Sequence, residues 1–345
     1  MWRLWLSKML SKSIIGAILA VVSVSPAVVQ ASGAKAYSNV IGTGVASETS
    51  SNPFYGKLAA SAPFTFLAGF PVVRLTVNGH HDEIFILDSG AWRTTLSTEE
   101  ASRLGASIVE TDRGRIVGTG DSGSVPIRWA THVKLSLGKE VLLIGEVPTL
   151  SFASLNDATG SRIAGIIGYD VLRTNPTVID YEHHSFSIFN PRRFVVSGDS
   201  KTTAFSIDKT SPLPIVEVSI AVGDRDCGSA RALLDSGNGN PMVVSTSFGD
   251  LHGLRDLPGW EKGKGQGFGG EFSVLSGLPG SVSLGDHKIL IKHVAVSTAI
   301  NGVAGGNFYD ALLGSPIFAG TSIIFDVQHG RLYWIGSKLS LAPTE

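Results

Sequence analysis

The sequence of 345 residues is poor in cysteine, with Cys227 as its only one. One cysteine cannot form a disulfide within the chain, and it excludes metal cages built from several thiolates. Charge is also scarce, because Asp, Glu, Lys and Arg make up 17% of the residues, against about 25% in an average globular domain. Hydrophobic residues make up 43%, which excludes a chain that is disordered along its length.

Neither sign of charge dominates. Lys and Arg number 28 and Asp and Glu number 29, which gives a net charge of −1. The chain therefore has no overall basic excess to draw it to nucleic acid or to anionic lipid. We expect neither to be a partner.

Long hydrophobic runs are missing too, apart from a short one near the N-terminus. Three basic residues precede an apolar run from Ile14 to Val24, and small residues follow it. This order is typical of a secretory signal peptide. The run is shorter than the ~20 residues that a membrane span needs. We predict a signal peptide over residues 1–31, with a membrane anchor as the alternative, and export to a bacterial periplasm with no stable membrane span after cleavage.

Glycine is abundant, with 41 residues that separate many short apolar runs. This pattern predicts an all-β fold with many turns and few short helices. Residues 32–63 are rich in Ser, Ala and Gly and predict a flexible leader or pro-segment. Asn78-Gly79 predicts a hairpin turn, and Ser97-Thr-Glu-Glu100 predicts the capping box of a short helix that ends near Gly105.

The sequence contains an internal duplication. Leu87-Asp88-Ser89-Gly90 recurs as Leu234-Asp235-Ser236-Gly237, 147 positions further on. Two further landmarks recur 146 positions on: Ile166-Ile167-Gly168 as Leu312-Leu313-Gly314, and Val178-Ile179-Asp180-Tyr181 as Ile324-Phe325-Asp326-Val327. The period is that of a domain, so we predict two homologous β-rich lobes, 64–192 and 203–337, joined by a linker.

Each lobe has an Asp directly after an apolar strand. Gly90 and Gly237 permit a tight turn at that point, and Ser89 and Ser236 can brace it. If the lobes are related by a pseudo-twofold axis, Asp88 and Asp235 meet. Two carboxyls in contact share a proton, so one can activate a water while the other donates to a carbonyl oxygen. Such chemistry uses neither a metal nor a cofactor.

At these residues the sequence resembles the aspartic proteases of the retropepsin-like and pepsin-like type. The segment Phe85-Ile-Leu-Asp88-Ser-Gly-Ala91 is similar to the first catalytic loop of that family, and Ile166-Ile-Gly168 is similar to its second apolar-apolar-Gly element. Between them, Val117-Gly118-Thr119-Gly120 matches the position of the family's glycine-rich flap. The resemblance implies two lobes with a central cleft, catalytic Asp88 and Asp235, and hydrolysis of peptide bonds in a polypeptide. A tandem arrangement of this kind requires no second copy of the chain.

The second half departs from the family's pattern. Asn238 stands where the first half has Ala91, and Gly239-Asn240-Pro241 replaces the Thr-rich segment. Gly265 to Gly270 is a loose match to a second flap. The alternative function is therefore a noncatalytic pseudoprotease that binds peptides with a degenerate second lobe.

Two other motifs suggest different functions. Gly120-Asp-Ser-Gly123 spells a motif of trypsin-like serine proteases, but the His pair at 80–81 lacks the surrounding motif that this mechanism requires. The pairs His80-His81 and His183-His184 suggest metal ligands. Adjacent residues of a strand face opposite sides, so we interpret both pairs as exposed turn residues and expect no metal site.

Overall fold

The structure is a computed structural model. It describes residues 17–18, 22–23, 54–109, 115–118, 124–196, 202–207, 213–268, 270–305, 308–336 and 339–341. Most of the predicted signal peptide lies outside the described residues, as do residues 32–53 of the predicted leader.

The strands of the first half follow one another at short intervals. They are β1 (Ala17–Ile18), β2 (Val22–Ser23), β3 (Phe54–Tyr55), β4 (Leu58–Leu67), β5 (Phe70–Val77), β6 (His80–Leu87), β7 (Thr95–Ser97), β8 (Ser107–Val109), β9 (Arg115–Gly118), β10 (Ser124–Pro126), β11 (Arg128–Leu137), β12 (Glu140–Leu150), β13 (Ile163–Ile167), β14 (Thr177–Asp180), β15 (Ser185–Phe189) and β16 (Val195–Val196).

The second half repeats this density of strands. They are β17 (Thr202–Ser206), β18 (Ile215–Val222), β19 (Arg225–Asp235), β20 (Met242–Val244), β21 (Glu261–Gly267), β22 (Gly270–Leu284), β23 (His287–Ser297), β24 (Ala311–Gly314), β25 (Ser322–Asp326), β26 (Arg331–Ile335) and β27 (Leu339–Leu341).

The helices are short and lie between strands. The α-helices are α1 (Thr98–Ala101), α2 (Ala153–Thr159), α3 (Tyr169–Leu172), α4 (Thr246–Leu251) and α5 (Gly302–Gly305), and 3-10 turns cover Pro191–Arg193, Leu254–Asp256, Ser315–Phe318 and Val327–His329. The predicted all-β fold with few short helices is confirmed. Within the described residues, no helix has the length and apolar character to cross a membrane.

Local sequence explains several of these elements. Asn78 and Gly79 have φ of 49° and 90°, as a tight hairpin turn requires, and Val77 lies opposite His80 across β5 and β6. Helix α1 begins after Ser97, whose hydroxyl donates to the Glu99 carboxylate at 2.8 Å. The Ser97 side chain therefore makes no cap bond to a backbone N–H, and the predicted capping box is not formed.

Each lobe closes its strands into a barrel-like sheet. In the first lobe, β5 pairs with both β6 and β11. In the second, β22 pairs with both β18 and β23. The lobes are joined where β14 pairs antiparallel with β25, which places Val178 opposite Ile324. One apolar core cluster contains buried residues of both lobes, among them Leu87, Leu234 and Phe325.

The fold begins before residue 64. Residues 54–63, which the sequence predicted as part of a flexible leader, form β3 and most of β4. Strand β4 pairs with β15, with Ala60 opposite Ile188. Its inward side chains at Ala60 and Ala62 are small and pack only partly against the core. Small side chains give a weak apolar alternation, which is why the pattern missed this strand.

Candidate active site

The two Asp-Ser-Gly loops follow structurally equivalent strands. Strand β6 leads to Asp88 and pairs in parallel with β13, so that Leu87 lies opposite Ile167. The N–H of Asp88 donates to the carbonyl of Ile167 at 3.0 Å. Strand β19 ends at Asp235, which lies opposite Gly314 of the parallel strand β24. The repeated apolar-apolar-Gly elements therefore support the repeated loops.

The two carboxyl groups lie at the loop of the opposite lobe. A Cβ atom added to Gly90 would come within 2.5 Å of Cγ of Asp235. A Cβ atom added to Gly237 would collide with the carboxyl of Asp88 in the same way. The duplication thus brings Asp88 and Asp235 together, and only glycine leaves room for their carboxyls.

The serines join the two loops by reciprocal hydrogen bonds. The hydroxyl of Ser89 donates to the carbonyl of Leu234 at 2.7 Å and accepts from the N–H of Ser236 at 2.9 Å. The hydroxyl of Ser236 donates to the carbonyl of Leu87 at 2.8 Å and accepts from the N–H of Ser89 at 2.9 Å. Both serines are buried. These four bonds fix the relative position of the loops.

Backbone groups hold one oxygen of each carboxyl. The N–H of Ala91 donates to Oδ1 of Asp88 at 2.9 Å, and the N–H of Gly237 donates to Oδ1 of Asp235 at 3.0 Å. Neither Oδ2 atom has a hydrogen-bond partner among the described residues, although both side chains are fully buried. A buried polar atom without a partner is costly, so both oxygens are available to a bound polar group, the ionised carboxyl as an acceptor and the protonated one as a donor.

Burial sets the electrostatics of the pair. It raises the pKa of the Asp88 carboxyl above its usual range. Burial, and then the negative charge of Asp88, raise the pKa of Asp235. The pair therefore retains a proton at a pH where an exposed carboxyl has lost it. One protonated and one ionised carboxyl can act as general acid and general base.

Asp170 supports the first loop, and sequence analysis missed it. The hydroxyl and N–H of Thr94 each donate to Oδ1 of Asp170 at 2.8 Å. The Thr94 hydroxyl also accepts from the N–H of Gly168 at 3.1 Å. Burial raises the pKa of the Asp170 carboxyl. Its position two residues after the repeated Gly168 was the available signal.

The second loop is supported differently. The N–H of Gly314 donates to the carbonyl of Pro241 at 3.2 Å, and the N–H of Ser315 donates to the carbonyl of Asn238 at 2.8 Å. The Ser315 hydroxyl donates to the carbonyl of Ser236. Asn238 is fully buried, its Oδ1 accepts from the N–H of Asn240 at 2.9 Å, and its Nδ2 has no partner among the described residues.

The predicted first flap is described only in part. Val117 and Gly118 lie at the end of β9, which pairs antiparallel with β10, whereas Thr119 and Gly120 lie outside the described residues. Val117 packs against an apolar cluster of the second lobe. The predicted second flap is a hairpin of β21 and β22, and Phe268 at its turn packs against a first-lobe cluster. Each hairpin thus reaches the opposite lobe.

The other motifs form local contacts. His81 Nδ1 lies 3.0 Å from the Thr76 hydroxyl, and His183 Nδ1 lies 2.9 Å from the Asp180 carboxylate. Cys227 is buried, and burial raises the pKa of its thiol. Within the described parts of the chain, no three His, Cys, Asp or Glu side chains are grouped to hold a metal ion. The Ser of Gly120-Asp-Ser-Gly123 lies outside those parts.

Comparison with known proteins gives a partial match. The crystal structure of Basic 7S globulin from soybean superposes with a TM-score of 0.47 at 9% sequence identity, over 82% of this chain and 96% of that one. No curated protein sequence matches the chain. Residues 73–171 match the family model of aspartyl proteases. That range contains the first Asp-Ser-Gly loop and Gly168, so the first lobe is similar in sequence to aspartyl proteases.

Proposed function

We propose that the protein is an aspartic endopeptidase that hydrolyses peptide bonds with the pair Asp88 and Asp235. The observation that carries this proposal is the placement of each buried carboxyl against the glycine of the opposite loop. The match of residues 73–171 to aspartyl proteases supports the same reaction class.

The reaction uses the pair as one titrating unit. The ionised carboxyl takes a proton from a water molecule held by the two Oδ2 atoms, and that water attacks the scissile carbonyl carbon. The protonated carboxyl donates to the carbonyl oxygen, which stabilises the tetrahedral intermediate. As the C–N bond breaks, the pair gives one proton to the leaving amine nitrogen and takes one back from a hydroxyl of the tetrahedral intermediate, so the pair again holds a single proton. The backbone N–H groups of Ala91 and Gly237 keep both carboxyls in position throughout.

An extended polypeptide is the substrate that suits the hairpins. Strand β1 of the chain itself pairs in parallel with β9, with Ala17 opposite Val117. Strand β2 pairs antiparallel with β21, with Val22 opposite Gln266. A segment of polypeptide therefore lies along a strand from each lobe. Backbone pairing of this kind provides affinity with little dependence on sequence.

Asn238 favours a second candidate function. Its side chain is buried in the second loop, where the first loop has Ala91, and its Nδ2 is unpaired among the described residues. If this amide keeps the pair from activating water, the protein binds extended peptides without cleaving them.

The decisive experiment compares Asp88→Asn and Asp235→Asn with the unchanged protein. We expect the purified full chain to cleave an unfolded polypeptide between pH 3 and pH 8, and a statine-type inhibitor to block cleavage. Each substitution should lower kcat by at least ~10³-fold, because it removes a charge that the pair shares. Asp157→Asn, at an exposed position, is the matched control and should retain activity.

Two results would contradict the endopeptidase. Cleavage that survives in Asp88→Asn would exclude the proposed mechanism. Binding of peptide without turnover in the unchanged protein, with no effect of the inhibitor, would favour the noncatalytic alternative.

Export to a periplasm is part of the proposal. It rests on the basic and apolar pattern of residues 1–31. N-terminal sequencing of the protein recovered from a periplasmic fraction should begin near residue 32. A chain that keeps its N-terminus and stays with the membrane fraction would support the anchor instead.

A further inference from the structure

Two apolar clusters lie at the junction of the lobes, one beside each aspartate. In the first lobe, Leu87 faces the common core, whereas Ile86 faces the other side of the sheet with Ile163 and Ile166. In the second lobe, Leu233 faces the corresponding side with Tyr309 and Leu312. We name these the first-lobe and second-lobe junction clusters.

Each junction cluster is covered by a side chain of the opposite lobe. Phe268 of the second-lobe hairpin packs against the first-lobe junction cluster, and its ring centroid lies 5.4 Å from that of Phe152. Val117 of the first-lobe hairpin packs against the second-lobe junction cluster, beside Trp92. A substrate side chain that takes the place of Phe268 or Val117 would lie against the same apolar residues. The space that becomes free is the size of a Phe side chain on one side and of a Val side chain on the other.

The duplication shows which position makes the two clusters differ. Ile86 corresponds to Leu233 at the offset of 147 that the Asp-Ser-Gly loops have, and Ile166 corresponds to Leu312 at the offset of 146 that the apolar-apolar-Gly elements have. Both of these pairs are aliphatic. At the same offset of 146, Ile163 corresponds to Tyr309. The second-lobe junction cluster therefore contains an aromatic ring and a hydroxyl where the first has an aliphatic side chain.

Tyr309 lies close to Asp235. It is 2% exposed and is in the same cluster as Leu233, two residues before Asp235. Burial raises the pKa of its hydroxyl, and the negative charge of Asp235 raises it further. Its ring thus fills space beside the second aspartate.

From this arrangement we propose that Tyr309 is a specificity-determining residue. It limits the second-lobe subsite to side chains no larger than Val, while the first-lobe subsite, built around Ile163, accepts large apolar side chains. The inference rests on the proposed endopeptidase function and names its substrate class. The substrate is an extended polypeptide in which a large apolar and a small residue flank the cleaved bond.

The test uses peptides with one cleavable bond, in which only one flanking residue is varied from Ala and Val to Leu and Phe. In the unchanged protein, we expect one flank to favour Leu or Phe and the other to disfavour them by about 10-fold or more in kcat/KM, as pocket size differences of this order produce. Tyr309→Ile makes the second cluster like the first, so the restricted flank should then accept Leu and Phe. Tyr309→Phe keeps the ring and should keep the restriction.

The reciprocal variant Ile163→Tyr provides an independent measurement. It should reduce the preference for Phe at the permissive flank and leave the other flank unchanged. The melting temperature and the binding of a statine-type inhibitor check that each variant is folded. Where a variant does not fold, the difference in kcat/KM between the two flanks of the unchanged protein tests the proposal.

The outcomes separate the two proposals. If the unchanged protein cleaves none of the peptides, the proposed function fails. If it cleaves them but treats both flanks alike, or if folded Tyr309→Ile keeps the restriction, the role of Tyr309 is wrong while the endopeptidase stands.

Discussion

Gly90 and Gly237 are defined by what lies opposite them. Neither Gly90 nor Gly237 has a positive φ, so the backbone conformation alone does not require glycine at these positions. What demands it is the carboxyl of the facing aspartate, which occupies the place of a Cβ atom. The two glycines thus set how closely the aspartates approach.

Substitution of Gly90 by Ala should therefore damage both activity and stability. The added Cβ would lie 2.5 Å from Cγ of Asp235, and such overpacking typically costs about 1–3 kcal/mol of unfolding free energy. We expect kcat to fall by at least ~10²-fold and the denaturation midpoint to decrease. Peptide cleavage measures kcat, and urea unfolding measures the denaturation midpoint.

Gly263→Ala is the matched control, because a Cβ there would meet Cγ2 of Val274 at an ordinary 3.4 Å. Its unfolding free energy should change by less than about 1 kcal/mol. Equal effects of the two substitutions would show that the aspartate does not fill the space at Gly90.

The dyad should make folding stability depend on pH. Burial raises the pKa of Asp235 in the folded protein above the value of about 3.9 in an unfolded chain. The folded state then holds a proton that the unfolded state has lost, so the free energy of unfolding falls as the pH rises through that interval. Asp235→Asn removes this loss and should raise the melting temperature increasingly from pH 4 to pH 8.

Thermal unfolding followed by circular dichroism at several pH values measures this effect. Each kcal/mol corresponds to roughly 2–4 °C in a protein of about 150–250 residues and to a smaller shift in a longer chain such as this one. Asp157→Asn, at an exposed position, controls for the change of side chain. A difference between Asp235→Asn and the unchanged protein that stays constant with pH would contradict the raised pKa.

The loops form an element of their own, held by serine hydroxyls that each donate once and accept once. Ser89→Ala would leave the buried carbonyl of Leu234 and the buried N–H of Ser236 without a partner. An unsatisfied buried group costs about 1–3 kcal/mol. We therefore expect Ser89→Ala to lower the unfolding free energy by about 2–4 kcal/mol, measured by urea denaturation.

Ser89→Thr keeps the hydroxyl and serves as the control, with a much smaller loss expected. The single variants remove different bonds, but all four bonds hold the same two loops in position. Loss of one pair of bonds should weaken the other pair, so the double variant Ser89→Ala/Ser236→Ala should lose less than the sum of the single losses. Additive losses would mean that the two loops are not coupled.

The sequence predicted elements whose determinants are local. The hairpin at Asn78-Gly79 follows from two residues that favour positive φ, and the duplicated strands follow from their apolar alternation. The part of strand β4 before Phe64 was missed because Ala60 and Ala62 contribute little apolar character. The support of Thr94 by Asp170, 76 positions away, depends on tertiary packing. The sequence marks Asp170 only by its place two residues after the repeated Gly168, which does not identify Thr94 as its partner.

The two lobes share a sheet and an apolar core. Strands β14 and β25 pair, and the largest core cluster includes residues of both lobes. Because neither lobe can unfold without exposing part of this core, we expect one cooperative transition. Trp129 is buried in the first lobe and Trp334 in the common core.

The sequence also contains Trp2, Trp5, Trp92 and Trp260. The probes are therefore two variants, one that keeps only Trp129 and one that keeps only Trp334, with every other tryptophan replaced by Phe. Fluorescence of each variant and its far-ultraviolet circular dichroism should give coincident melting curves. Separate transitions for the two probes would show that the lobes unfold independently.

The reciprocal bonds between Ser89 and Ser236 join parts of a single polypeptide. Dilution therefore cannot separate the two halves, because the covalent connection fixes their local concentration. Specific activity should stay constant as the protein is diluted, in contrast to a site assembled from two identical chains. Covalent linkage also allows the two halves to differ, as they do at Ala91 and Asn238 and at Ile163 and Tyr309.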